Sequence, residues 1–349
     1  MRTRTVPFSF SQLYRWRLRL EQQLPPSTVF TDVDEAQNKV VIGVEGETDR
    51  AALLAHGAGL GIPPLAFEAV VVPPIKLAAR LDTRNRPLHG GMQVSYRARR
   101  ANGTVAVATC SMAMPVRRFM DDNWAGFLTA SHCTPTTFGI SDPEDIQQAE
   151  FYQGGNAVSD RVGYEEEDPL AFSEYDDYHC PSGKRCRWSD AAFIRYAFSQ
   201  TEPLYVSRAV ARPVAPAASF PRDLTPIYAT PFTAFRSSGL YVGDSLLKIG
   251  HRTGYTHGRV TNTCLNIAVS FRDNYDGVER SWMILCAGKS TNLVNQGDSG
   301  GIVFRASPNH PDYIFAEGIV TGLQDGLMVF STCAGIRRDF PSMDSPCHQ

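Results

Sequence analysis

Two hydrophobic rhythms divide the chain. Near the N-terminus apolar positions recur at helical spacing, with Leu13, Trp16, Leu20 and Leu24 on one face of residues 8–24 until Pro25-Pro26 stops the run. Residues 27–45 then alternate and turn as a strand pair. Val29-Phe30-Thr31-Asp32-Val33 leads through a polar turn to Lys39-Val40-Val41-Ile42-Gly43-Val44. A helix at 48–59 and a strand at 67–73 complete a small α/β unit, which ends at Pro73-Pro74 and is followed by the polar linker Asp82-Thr83-Arg84-Asn85-Arg86-Pro87. From Gly90 on, short apolar strands separated by Gly, Pro, Asn and Asp dominate, the pattern of two antiparallel β-barrels. The expected organisation is an α/β unit over 1–86 and a mainly β domain over 87–349.

Composition agrees and narrows the function. At 349 residues the chain exceeds one core, so two or three are expected. With 28 glycines and 23 prolines it suits many short strands and turns rather than long helices. No run of 18 apolar residues occurs, so no membrane span is expected. A formal net charge of −2 argues against a nucleic-acid partner, because phosphate contact needs a basic face.

Candidate chemistry centres on Gly297-Asp298-Ser299-Gly300-Gly301. Glycines on both sides let the backbone turn tightly and approach a carbonyl group closely. The hydroxyl of Ser299 becomes a nucleophile only if a base takes its proton. That requires a histidine and a carboxylate elsewhere. His132 ends an apolar strand in Gly126-Phe127-Leu128-Thr129-Ala130-Ser131-His132-Cys133, and Asp190 opens the apolar run Asp190-Ala191-Ala192-Phe193-Ile194. Aspartate is rarely buried without a partner. The order His, Asp, Ser is one of several that converge on a single geometry.

These segments resemble those of the chymotrypsin-like (trypsin-fold) serine peptidases, with their Thr-Ala-x-His-Cys, Asp-Ala-Ala and Gly-Asp-Ser-Gly-Gly hallmarks. Lys248-Ile249-Gly250-His251-Arg252-Thr253-Gly254 is similar to a second-barrel turn of the bacterial streptogrisin and α-lytic branch. The resemblance covers roughly residues 88–340. It implies two antiparallel β-barrels of the trypsin-like fold, with the small N-terminal α/β unit as a pro-region. It further implies a secreted, monomeric serine endopeptidase acting on protein or peptide substrates through an acyl-enzyme, with its own pro-region as partner and no cofactor. His132, Asp190 and Ser299 would be the triad, and the N–H groups of Gly297 and Ser299 the oxyanion hole. Digestive members pair the aspartate before the serine with a freed N-terminus. No Ile-Val start follows the linker here, and Lys248 stands where bacterial relatives place a basic residue, so a Lys248–Asp298 ion pair is expected.

The substrate pocket is less sharply drawn. Gly318-Ile319-Val320-Thr321-Gly322-Leu323 resembles the strand that pairs with substrate backbone, making Thr321, Gly322 and Leu323 substrate-binding candidates. Leu293-Val294, six residues before the nucleophile, lacks the acid that would select Lys or Arg, which favours small or apolar side chains. A catalytically silent homologue acting as a binding protein, and an esterase using the same nucleophile, are the alternatives.

Residues 141–178 carry twelve acids against the single base Arg161. The segment reads as a solvated loop, or alternatively as a calcium site built from clustered carboxylates. The eight cysteines are even in number and form no Cys-x-x-Cys pair. Sequence does not fix their connectivity. Nearest-neighbour pairing gives Cys110–Cys133, Cys180–Cys186, Cys264–Cys286 and Cys333–Cys347, the first matching a bridge in the resembled family. Four bridges imply an oxidising compartment, extracellular or periplasmic. Against this, Met1-Arg2-Thr3-Arg4-Thr5-Val6-Pro7 is not followed by the apolar stretch and cleavage site of a leader. Either the leader lies outside this sequence, or export takes another route, or the protein stays inside.

Overall fold

The computed structural model describes residues 6–72, 79–99, 103–118, 121–134, 150–155, 160–197, 208–213, 226–227, 231–236, 239–272 and 278–348. The chain divides into two compact units, Met1–Leu77 and Ala78–Gln349.

In the first unit, Ser9 opens the helix Phe10–Leu20, its hydroxyl accepting from the Gln12 N–H at 3.3 Å. A 3-10 turn at Glu21–Gln23 ends it ahead of the two prolines. The strands Thr28–Asp34 and Lys39–Val44 pair antiparallel, and Phe67–Val71 lies parallel to the latter after crossing through the helix Glu47–Gly59. Leu13, Leu20, Val40, Ile42, Leu53 and Phe67 form one buried core. The elements follow the predicted periodicities, with every end within four residues of the expected one.

In the second unit six strands close an antiparallel ring. They are Ser245–Gly250, Gly254–Arg272, Glu279–Ser290, Leu327–Thr332, Tyr313–Gln324 and Ile302–Ala306, the last pairing back onto the first. Val260, Val303, Val320 and Phe330 fill this barrel. The other half is an antiparallel sheet in which Met114–Arg118, Asp121–Thr129, Ala192–Tyr196, Arg161–Glu167, Glu150–Tyr152, Gln93–Arg99 and Val105–Ser111 succeed one another. It wraps a core of Val94, Tyr96, Phe127, Phe151 and Ile194. No ladder joins its end strands, so it is an open barrel among the described residues. A third cluster, including Met114, Leu128, Phe193, Ile249, Phe304 and Ile319, draws on both halves and forms the seam between them.

Two expectations change. The linker residues placed in the first unit belong to the second: Leu81 joins the seam, its carbonyl accepts from the Gln93 N–H at 2.8 Å, and Arg84 lies 3.5 Å from Asp160. The acidic segment is a solvated loop only in part, at the exposed turns that carry Glu174, Asp176 and Asp177. Arg161–Glu167 is a barrel strand, and Glu150, Glu166, Glu167 and Asp168 pair with Arg161, Arg195, Arg118 and Arg187. Counting charges along a segment misses partners from other strands. Asp142, Glu144 and Asp145 lie outside the described residues, and the described ones hold no group of three His, Cys, Asp or Glu arranged for a metal ion. The four disulfides are Cys110–Cys133, Cys180–Cys186, Cys264–Cys286 and Cys333–Cys347.

Phe330 fixes the second barrel, because its ring occupies the space a side chain at Gly288 would take. Phe330→Ala should cost about 3–5 kcal/mol, read from the denaturant midpoint of the full chain.

Candidate active site

Strand register brings the first two candidates together. Ala192 pairs with Thr129 in adjacent antiparallel strands. Asp190, just before one strand, therefore meets His132, just after the other. His132 sits in a single 3-10 turn, Ser131–Cys133, and the Cys110–Cys133 bridge ties that turn to the strand Val105–Ser111.

Asp190 is fully buried, and both its oxygens serve His132. Oδ2 lies 2.6 Å from Nδ1, and Oδ1 accepts the backbone N–H at 3.1 Å. The contact sets the tautomer: Nδ1 carries the proton, and Nε2 keeps the basic lone pair. Burial works against protonation of His132, but the charge of Asp190 and its hydrogen bond outweigh it, leaving the imidazole pKa above its ordinary value. The Asp190 N–H donates to Ser331 Oγ at 2.8 Å, and Ser331 Oγ lies 2.9 Å from Thr321 Oγ1.

The serine loop is held by a second buried carboxylate. Lys248 Nζ lies 3.2 Å from Asp298 Oδ2, both side chains fully buried. Thr253 Oγ1 donates to Oδ2 at 2.6 Å, the Asn295 N–H to Oδ2 at 2.9 Å, and the N–H groups of Arg252 and Thr253 to Oδ1 at 3.0 and 2.9 Å. Burial raises the cost of this charge, yet Lys248 and the Thr253 and Asn295 donors hold the Asp298 carboxyl below the usual carboxylate range. Within this loop the Asp298 N–H donates to Asn295 O, the Gly300 N–H to Val320 O and the Gly301 N–H to Asp298 O. The N–H groups of Gly297 and Ser299 have no acceptor among the described residues. Gly297 reaches this geometry with φ +105°, a region that favours glycine.

Ser111 joins the two halves at this point. Its N–H donates to Ser299 O at 2.8 Å, and its Oγ donates to Gly297 O at 3.0 Å while accepting the His251 N–H at 2.9 Å. Gly300 passes so close that a Cβ there would stand 2.4 Å from Thr129 Oγ1. Ser299 is thereby placed, half exposed, beside the backbone that leads to His132. No hydrogen bond joins Ser299 Oγ to the imidazole in this structure.

Next to the imidazole lies a cavity of about 610 Å³ lined by His132, Asp190, Leu265–Ser270, Thr321–Gln324 and Val329. It includes Thr321, Gly322 and Leu323 but not Ser299. Thr321 is buried, its hydroxyl turned to Ser331, whereas Leu323 is exposed.

Sequence reasoning missed the support beneath the pair. Fully buried Arg187 lies 2.5 Å from Asp168 Oδ1, donates to Ala191 O at 2.7 Å and reaches Asp339 at 3.5 Å. Asp168 also accepts from Ser131 Oγ at 2.7 Å, and Asp339 from the Ser189 N–H and hydroxyl at 2.7 and 2.6 Å. The cluster fixes the residues flanking both His132 and Asp190. The one available signal was an arginine, Arg187, three residues before a buried aspartate.

Two outcomes follow. In the Ser299→Ala chain, ¹⁵N NMR titration should place the His132 pKa above about 6.5, and Asp190→Asn should bring it below that value, since burial then acts unopposed. Lys248→Met should lower stability by about 3–5 kcal/mol by stranding Asp298, and adding Asp298→Asn should restore part of the loss in chemical denaturation.

No family model matches the chain, and no curated protein matches it. Among solved structures it is similar to chymotrypsin-like bacterial serine proteases. One is a glutamic-acid-specific serine protease, with 18% identity, 73% of this chain and 98% of that chain covered, and a TM-score of 0.43. Another is Nocardiopsis protease, with 18% identity, 73% and 96% covered, and a TM-score of 0.43. A third is an α-lytic protease homologue, with 13% identity, 73% and 97% covered, and a TM-score of 0.42.

Proposed function

We propose that this chain is a serine endopeptidase that cleaves peptide bonds through Ser299, His132 and Asp190. The observation that carries the reading is the pairing of a wholly buried carboxylate with Nδ1 of a partly exposed imidazole, a pair that costs desolvation and frees Nε2 as a base.

Ser299 Oγ attacks the substrate carbonyl carbon while its proton passes to His132 Nε2. The tetrahedral oxyanion accepts from the unpaired N–H groups of Gly297 and Ser299, each donor worth about 10²–10³ in rate. The C–N bond then breaks as Nε2–H protonates the leaving amine. Water, deprotonated by the same nitrogen, releases the acyl group. Asp190 stabilises the imidazolium without taking its proton. Lys248 supplies the charge that Asp298 needs, so the loop forms with no freed N-terminus.

The four disulfides support a protein made for an oxidising compartment, extracellular or periplasmic. The first unit acts as a pro-region, removed by a cut near the boundary between the two units at Leu77–Ala78, ahead of the buried Leu81. The missing Ser299–His132 hydrogen bond favours one competing reading, a silent homologue that binds peptides without cutting them. Catalytic hydrogen bonds often tighten only when substrate is bound.

A fluorophosphonate probe should label Ser299 and lose its target in Ser299→Ala. The parent chain should cleave a peptide library, the rate rising with pH through the elevated His132 pKa, while Ser299→Ala loses activity and keeps its melting temperature. An unlabelled Ser299 in a folded chain would leave the silent reading standing.

A further inference from the structure

The cavity beside His132 is bounded in an unusual way. A sheet face presents alternate residues to a space, because successive side chains point to opposite sides. Here six consecutive residues, Leu265–Ser270, line the cavity, and so do four consecutive residues, Thr321–Gln324. Consecutive lining means that the space abuts strand edges.

Both edges are unpaired among the described residues. The strand Gly254–Arg272 pairs on one side with Ser245–Gly250 only as far as Arg259, whereas its other side pairs with Glu279–Ser290 along the remaining length. Its first side is therefore open over Leu265–Ser270 among the described residues. The strand Tyr313–Gln324 pairs with Leu327–Thr332 on one side, and its ladder with Ile302–Ala306 on the other stops at Ile319. Open strand edges carry rows of unmatched N–H and C=O groups and are templates for an added strand.

The outer edge is held rigid. The strand behind it is flanked by Cys186–Arg187 at Met283–Ile284 and by Leu327–Thr332 at Gly288–Ser290. Cys264–Cys286 and an Asn266 Oδ1 contact from the Cys286 N–H at 3.1 Å brace its base. The lining is mixed: Leu265, Ile267 and Val269, half buried, form an apolar stretch with Leu323 and Val329, while Asn266, Ser270, Thr321 and Gln324 add polar groups and its one carboxylate, Asp190, is committed to His132.

We propose that the cavity is a slot for an extended peptide that inserts as a strand between the two edges, hydrogen-bonding to Leu265–Ser270 on one side and to Thr321–Gln324 on the other. This rests on the peptidase reading, and it defines the substrate class of that site as proline-free extended segments with apolar side chains. Two-sided pairing distinguishes it from recognition by the Thr321–Gln324 edge alone. In a strand, alternate residues direct their N–H groups to opposite edges. An inserted peptide therefore uses every backbone N–H, and a one-sided peptide only every second.

Acetylated hexapeptides of Ala, Val and Leu would be screened for binding to the full-length Ser299→Ala chain by fluorescence polarisation. The tightest would then be remade with one backbone N-methyl group at each position in turn. The expected result is at least tenfold weaker binding at neighbouring positions, in both alternate sets. Losses restricted to every second position, or no binding by any library member, would overturn the slot. Neither outcome bears on catalysis, which fluorophosphonate labelling of Ser299 in the parent chain decides separately.

Discussion

The buried charge of Asp298 is the constraint on which the site depends. A carboxylate removed from water costs several kcal/mol unless nearly all its lone pairs are matched. Here an ammonium group, one hydroxyl and three backbone N–H groups meet it. Those partners come from two segments, the turn after Lys248 and the run up to Asn295. Satisfying one carboxylate therefore folds both segments around it. The loop conformation that results leaves the amides of Gly297 and Ser299 without an acceptor among the described residues. Unpaired amides are a cost to the fold and an asset to acyl transfer, and the Asp298 network offsets that cost.

Asp190 repeats the solution in the other half of the unit. Its carboxylate is matched by the imidazole and backbone of His132, and its own N–H by Ser331. Beneath it, Arg187 is shared between Asp168 and Asp339, which in turn hold Ser131 and Ser189. The two halves thus each anchor a candidate catalytic residue, His132 or Ser299, to a buried aspartate. Each aspartate fixes backbone on both sides of a turn, which suits groups that must hold position to within fractions of an ångström.

What was legible in the sequence was local. Gly297-Asp298-Ser299-Gly300-Gly301 declares a tight turn, and Thr129-Ala130-Ser131-His132-Cys133 and Asp190-Ala191-Ala192 declare strand ends. The helical and alternating rhythms of residues 8–71 gave the first unit nearly element by element. What escaped was long-range and made of ordinary residues. Ser111 bonds to residues more than 180 positions away, and Ser331 to one 141 away. A serine inside a strand carries no mark of such a role. Glu166, Glu167 and Asp168 read as solvated because the arginines that neutralise them come from other strands. The polar stretch before Pro87 read as a linker because hydrophilicity along a chain does not reveal that Leu81 enters a core.

Ser111 shows how the anchored halves become one site. It follows Cys110, whose disulfide holds the turn of His132, and its own N–H and hydroxyl grip the carbonyls of Ser299 and Gly297. Two neighbouring residues on one strand thus set His132 through a covalent bond and the Ser299 loop through hydrogen bonds. A shift of that strand carries both groups together, so their separation is insulated from movement between the barrels.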